Sequence, residues 1–67
     1  MVTIYGKDSC PYTQAARDDY EQRNVPFTYI NVKADKNELD RMVRLSGGRK
    51  VPVIVEGDKV TVGFGGT

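Results

Sequence analysis

Hydrophobic residues along the chain come in short groups separated by polar or glycine-rich stretches. Val2-Thr3-Ile4-Tyr5 is β-branched or aromatic throughout, with weak alternation, and predicts a strand. Pro11 to Arg23 predicts a helix with Pro11 at its first position and Ala15, Ala16 and Tyr20 as apolar contacts. Asn24-Val25-Pro26 stops it. Phe27 to Val32 predicts a second strand. Asp35 can cap a second helix, with Glu38 placed to complete a capping box. Leu39, Met42, Val43 and Ser46 share one face of that helix, Leu45 borders it, and Gly47-Gly48 ends it. Val51 to Glu56 predicts a third strand, Gly57-Asp58 a tight turn and Lys59 to Val62 a fourth strand, together a hairpin. Gly63-Phe64-Gly65-Gly66-Thr67 follows.

The order strand, helix, strand, helix, strand, strand predicts an α/β fold. A crossover helix between the first two strands implies a parallel pair, and the terminal hairpin adds an antiparallel edge, giving a four-stranded mixed sheet. The helix charges Arg17, Asp18, Asp19, Glu21 and Arg23, then Asp40, Arg41 and Arg44, read as solvated faces.

Length and composition narrow the picture. Residues 1–67 make one small domain, of a size that buries only about 60% of its unfolded surface. A net charge of +1 is too balanced to predict a nucleic-acid or acidic-membrane partner. No apolar run reaches membrane-spanning length, and Met1 to Tyr5 reads as strand rather than signal peptide. The chain has no histidine, which excludes a histidine-based metal site and a Cys-His pair; no metal is expected. A single cysteine excludes an internal disulfide. One free thiol fits a reducing compartment, so a cytoplasmic location is expected.

That cysteine, Cys10, lies between the first strand and the first helix, in Lys7-Asp8-Ser9-Cys10-Pro11-Tyr12-Thr13. A helix start offers unpaired N–H groups and a partial positive charge, both of which stabilise a thiolate, the reactive form. With Pro11 at the first helical position, the N–H groups of Tyr12 and Thr13 come within reach of the sulfur. An unperturbed thiol is only about 3% ionised at pH 7, and a pKa near roughly 6 would leave it mostly thiolate. Lys7 favours ionisation and Asp8 opposes it. Two further markers are weaker. Val51-Pro52, read alone, starts a strand; a cis bond there would turn the Val51 backbone toward a peptide-like ligand. Gly65-Gly66-Thr67 is either a glycine tail or a turn whose N–H groups meet a carboxylate.

Taken in order, the three markers resemble those of glutaredoxins. Lys7-x-x-Cys10-Pro11-Tyr12-Thr13 is similar to the family's Lys-x-x-Cys-Pro-Tyr-Cys active site, Val51-Pro52 to its Thr-Val-Pro motif, and Gly65-Gly66-Thr67 to the start of its Gly-Gly-Ser/Cys-Asp-Asp motif. The resemblance covers essentially the whole chain. It implies a thioredoxin-like βαβαββ fold without the usual C-terminal helix, a cis Pro52, and glutathione as co-substrate with no permanently bound cofactor. Cys10 would be catalytic, supported by Pro11, Tyr12, Thr13 and Pro52. Lys7 and Arg49 would meet the glycine carboxylate of glutathione, Tyr12 would line the cleft, Val51 and Pro52 would present backbone to its cysteine, and Gly66 and Thr67 would face its γ-glutamyl end.

The chain departs from the family pattern at three places. Thr13 replaces the second cysteine, Lys50 replaces the usual threonine before Val51-Pro52, and the acidic residues that hold the γ-glutamyl amine do not follow Thr67. Without a last helix, part of one sheet face would stay uncovered, and a homodimer through that face is one expectation. The Cys-Pro-Tyr-Thr form is also similar to a compact bacterial branch in which selenocysteine can take the first position, implying that Cys10 alone can suffice. The expected function is a monothiol, glutathione-dependent thiol–disulfide oxidoreductase acting on glutathionylated proteins or small disulfides. Three alternatives stand beside it: a redoxin served by thioredoxin reductase (Val62-Gly63-Phe64 resembles the Ser-Gly-Phe run of such redoxins), an iron–sulfur carrier, and a non-catalytic binding domain. Pro11 stiffens the loop and disfavours the iron–sulfur carrier.

Overall fold

Two helices and four strands account for the chain in the computed structural model, which describes residues 1–65. The elements are β1 (Val2–Gly6), α1 (Pro11–Gln22), β2 (Phe27–Asn31), α2 (Lys36–Ser46), β3 (Val53–Glu56) and β4 (Lys59–Val62). The strand order is β2-β1-β3-β4. β1 is central. It runs parallel to β2 in the register Val2↔Phe27 to Gly6↔Asn31, and antiparallel to β3, with Val2 opposite Glu56 and Tyr5 opposite Val53. β4 pairs antiparallel to β3.

A central strand is covered on both faces, and β1 therefore reads as nearly continuous apolar sequence. Val2 and Ile4 point to one face, where they form a cluster with Ala16 of α1 and Ile54; Tyr20, Phe27, Tyr29 and Phe64 pack against it. Tyr5 points to the other face and joins Val32, Met42 and Val53 under α2, flanked by Ile30, Leu39, Val51 and Val55. The result is three layers, with α1 and α2 on opposite sides of the sheet.

Most elements lie where the sequence pattern places them, and the differences have local causes. β1 extends to Gly6, and α1 stops at Gln22 with Arg23 as its C-cap. Val32 leaves the regular strand, yet its N–H still donates to the Gly6 carbonyl at 2.9 Å. β3 starts at Val53 rather than Val51 because Pro52 has no N–H to give a ladder. Asp35 caps α2, accepting from the N–H groups of Asn37 and Glu38. Glu38 does not complete a capping box; its Oε1 pairs with Arg41 Nε at 3.2 Å. On α1 the inward positions are Thr13, Ala16 and Tyr20, at i, i+3 and i+7. Ala15 is rotated off this stripe and is exposed.

Most of the helix charges are solvated: Asp18, Glu21, Arg23, Asp40, Arg41 and Arg44 are exposed, whereas Arg17 and Asp19 are half-buried. The Arg17 guanidinium carbon lies 4.0 Å from the Tyr29 ring centroid, and that of Arg23 lies 4.5 Å from the Tyr20 ring. Arg23 also pairs with Asp19 at 2.7 Å. Among the described residues no helix is long and apolar enough to cross a membrane.

Candidate active site

Topology brings the sequence markers to one end of the sheet. The chain leaves β1 at Gly6 and turns through 7–10 into α1. β3 runs the other way, so Val51-Pro52, just before Val53, reaches that same end opposite Tyr5 and Gly6. β4 runs back along β3 and finishes at Val62, opposite Val53. The Gly63 N–H then donates to the Pro52 carbonyl at 2.7 Å, tying the end of β4 to the start of β3. Arg49 and Lys50, in the α2–β3 connection, are exposed at this end. An apolar cavity of about 440 Å³, lined by Met1, Val2, Val25, Pro26 and Phe27, lies at the N-terminal ends of β1 and β2, the opposite end of the sheet.

Cys10 is half-buried and free. It is the N-cap of α1, with extended backbone and Pro11 at the first helical position. Its N–H donates to the Lys7 carbonyl at 3.2 Å, and its own carbonyl accepts from Gln14 at 3.1 Å. The loop is thus pinned on both sides of the sulfur. Burial alone pushes the thiol pKa up. The Thr13 N–H and hydroxyl, the Tyr12 N–H and the Lys7 charge together outweigh it, so the net shift is downward. No side-chain bond caps the helix at Cys10. The donors aimed at the sulfur therefore gain most when the sulfur is charged.

Thr13 sharpens this point. It is 1% exposed, and among the described residues its hydroxyl has no hydrogen-bonded partner. Its neighbour is the sulfur. A thiol is a weak acceptor and a thiolate a strong one, so this hydroxyl is satisfied chiefly when Cys10 ionises. Thr13 reaches this position because β1 ends in glycine. A Cβ on Gly6 would meet Thr13 Cγ2 and, at 2.6 Å, Thr13 Oγ1.

The remaining predicted residues are placed as follows. Lys7 is exposed and acts on the sulfur. Tyr12 is 42% exposed beside it. Val51 is half-buried, Pro52 is buried, and the peptide bond between them is cis. Gly66 and Thr67 lie outside the described residues. Among the described residues no three His, Cys, Asp or Glu side chains are grouped to hold a metal ion.

The sequence pattern missed Gly6, Arg17 and Tyr29. Gly6 carried a usable signal, since a glycine closing a strand marks a close backbone approach. Arg17 and Tyr29 carried none. The Tyr29 hydroxyl donates to Asp8 Oδ1 at 2.7 Å, a contact between residues 21 apart in sequence.

A family model described as Glutaredoxin matches residues 2–61. An uncharacterised glutaredoxin-like 8.6 kDa protein of the rubredoxin operon of Clostridium pasteurianum is 33% identical over 64 residues, spanning 96% of this chain and 85% of that protein. The glutaredoxin-like protein NrdH of Escherichia coli K12 is 33% identical over 63 residues, spanning 94% of this chain and 76% of its own length. Among solved structures, a glutaredoxin from Archaeoglobus fulgidus superposes with a TM-score of 0.88 at 28% identity, over 96% of this chain and 75% of that one. The E. coli NrdH-redoxin, described as glutaredoxin-like with a thioredoxin-like activity profile, gives 0.85 at 32% identity, over 94% and 82%.

Proposed function

The chain belongs to the glutaredoxin family of thiol oxidoreductases, with a thioredoxin-like fold, and on that premise we propose that it is a glutathione-dependent thiol–disulfide oxidoreductase working through Cys10 alone. The observation that carries the reading is the sulfur at the α1 N-cap, its pKa drawn down by two amides, a buried hydroxyl and a lysine. The Cys10 thiolate attacks the glutathionyl sulfur of a mixed disulfide. The substrate–glutathione S–S bond breaks, the substrate thiolate leaves and takes up a proton, and Cys10 becomes glutathionylated. A second glutathione, as thiolate, attacks the glutathionyl sulfur on Cys10. That step yields oxidised glutathione and returns the Cys10 thiolate. Mixed disulfide plus glutathione thus gives free thiol plus oxidised glutathione. A lowered pKa makes Cys10 a good leaving group in the second step.

Convergence at one sheet end supports the roles proposed around the sulfur. Lys7 and Arg49 offer cations to the glycine carboxylate, Tyr12 an exposed ring, and Val51, ahead of Pro52 and the β3 ladder, backbone to the glutathione cysteine. Gly66 and Thr67 remain proposed contacts for the γ-glutamyl end.

Similarity to NrdH favours a second reading, a redoxin served by thioredoxin reductase. The single cysteine weighs against it, because no intramolecular disulfide can form to be reduced. One assay separates the two: NADPH consumption during reduction of a glutathionylated peptide, coupled either to glutathione and its reductase or to thioredoxin reductase. Turnover only in the first arm, lost in Cys10→Ser, is expected. Turnover only in the second selects the other reading, and turnover in neither rejects both.

A further inference from the structure

Asp8 is a carboxylate two residues from the sulfur, and by charge alone it opposes a thiolate there. Its carboxylate, however, accepts from the Tyr29 hydroxyl at 2.7 Å. The Tyr29 ring is anchored against the α1-side core, and Arg17 of α1 is stacked on it at 4.0 Å. The Lys7 charge favours the thiolate. We propose that Tyr29 is a positioning residue for Cys10: its hydroxyl, with Arg17 stacked on the ring, holds Asp8 against β2 and keeps that carboxylate from competing for the groups that stabilise the thiolate.

The physical case has three parts. First, Tyr29 stays a neutral donor at any physiological pH, since its pKa is pushed up to about 12 by burial, then by the Asp8 bond and charge, against the opposing pull of Arg17. Second, the Cys10 charge also raises the Tyr29 pKa, which places the ring within electrostatic reach of the sulfur. Third, aspartate is a preferred partner for helix N-terminal amides. A released Asp8 would be drawn toward the positive end of α1 and toward Lys7, the groups that now serve the sulfur. The charged and titratable groups around Cys10 are then Lys7 and Asp8 on its loop, Tyr12 and Arg17 on α1, Tyr29 on β2, and Arg49 and Lys50 at the same sheet end.

This inference rests on Cys10 being the reacting group, and its test reads the two separately. The rate of Cys10 alkylation by iodoacetamide is measured against pH for the unmodified protein, Tyr29→Phe, Asp8→Asn and the double variant. Phenylalanine keeps the ring under Arg17 and removes only the hydroxyl. Tyr29→Phe is expected to raise the midpoint by about half a pH unit and to slow alkylation roughly threefold at pH values below the midpoint. In the Asp8→Asn background the same substitution should shift nothing, because the charge it releases is gone. A loss of thermal stability without a midpoint shift overturns the proposal and leaves Tyr29 a packing residue. Equal shifts in both backgrounds also overturn it. The clamp is read from differences between variants, whereas activation of the site is read from the absolute midpoint of the unmodified protein. A midpoint there near the ordinary value of about 8.5 would count against the proposed function, whatever the variants do.

Discussion

The two helices begin in opposite ways. α2 starts at Asp35, whose carboxylate accepts from the N–H groups of Asn37 and Glu38 at 3.0 and 3.3 Å. α1 starts at Cys10, with no side-chain cap bond and no acidic residue in its first turn. The same orphan amides exist at both ends. At α2 an anion covalently present in the chain satisfies them at all times, and the yield is stability. At α1 they are held for an anion that exists only when a thiol ionises, and the yield is reactivity. Thr13 extends the contrast: its buried hydroxyl has no hydrogen-bonded partner among the described residues, and the group it acts on is the sulfur.

Substitutions at three positions test this comparison. The largest effect is expected from Gly6→Ala, which drives a methyl into Thr13 and pushes the start of α1 off β1. Overpacking of this kind costs about 1–3 kcal/mol, read as a lower denaturation midpoint in urea. Trimming the obstructing methyl by adding Thr13→Ser should recover part of that loss. No recovery would mean that the contact across Gly6 is not what holds α1 in place.

Thr13→Val comes next. It removes the hydroxyl and keeps the shape, so a midpoint raised by roughly one pH unit is expected, with Cys10 alkylation about tenfold slower at pH values below the midpoint. Stability below the thiol pKa should hold or improve, since a buried unsatisfied group is gone. The linkage has a definite sign. The folded pKa of Cys10 lies below its unfolded value, so its contribution to stability is fully present above the unfolded value near ~8.5 and is lost as pH falls through the lowered folded value. Unfolding measured from pH 5 to 9 should show stability of the unmodified protein rising with pH relative to Cys10→Ser, with a smaller rise in Thr13→Val. A pH-independent difference would contradict the lowered pKa.

The smallest effect is expected from Asp35→Ala, the counterpart at α2. Loss of the cap costs about 1 kcal/mol, and calorimetry should find the midpoint lowered at neutral pH. The alkylation profile of Cys10 should not move. Were Asp35→Ala to slow Cys10 as Thr13→Val does, the two helix starts would be coupled and the division between stability and reactivity would not hold.

Much of this was legible along the chain. Cys10-Pro11 at a strand-to-helix junction, Asp35 ahead of an amphipathic helix, and Gly57-Asp58 between β-branched runs carry their instructions within a few residues. Ala15 was misread because the inward stripe of α1 depends on which side of the helix meets β1, and Thr13 rather than Ala15 faces the gap above Gly6. Arg17 read as a solvated charge because nothing near it in sequence announces Tyr29. Read from its local sequence, Val51-Pro52 merely starts a strand, and only the family resemblance implies the cis bond that the structure has.

By itself the amino-acid order determined the succession of elements, their caps and turns, and a thiol at a helix start. Those features come from backbone propensities, hydrophobic spacing and hydrogen bonds that act within a turn or a strand. Tertiary structure alone decided that Lys7 to Thr13, Val51-Pro52 and the end of β4 come to one end of the sheet, and that Asp8 is held by Tyr29 while Lys7 favours the thiolate. Strand register and helix packing join residues far apart in sequence, and the charge balance at the sulfur depends on which of those distant groups arrive beside it.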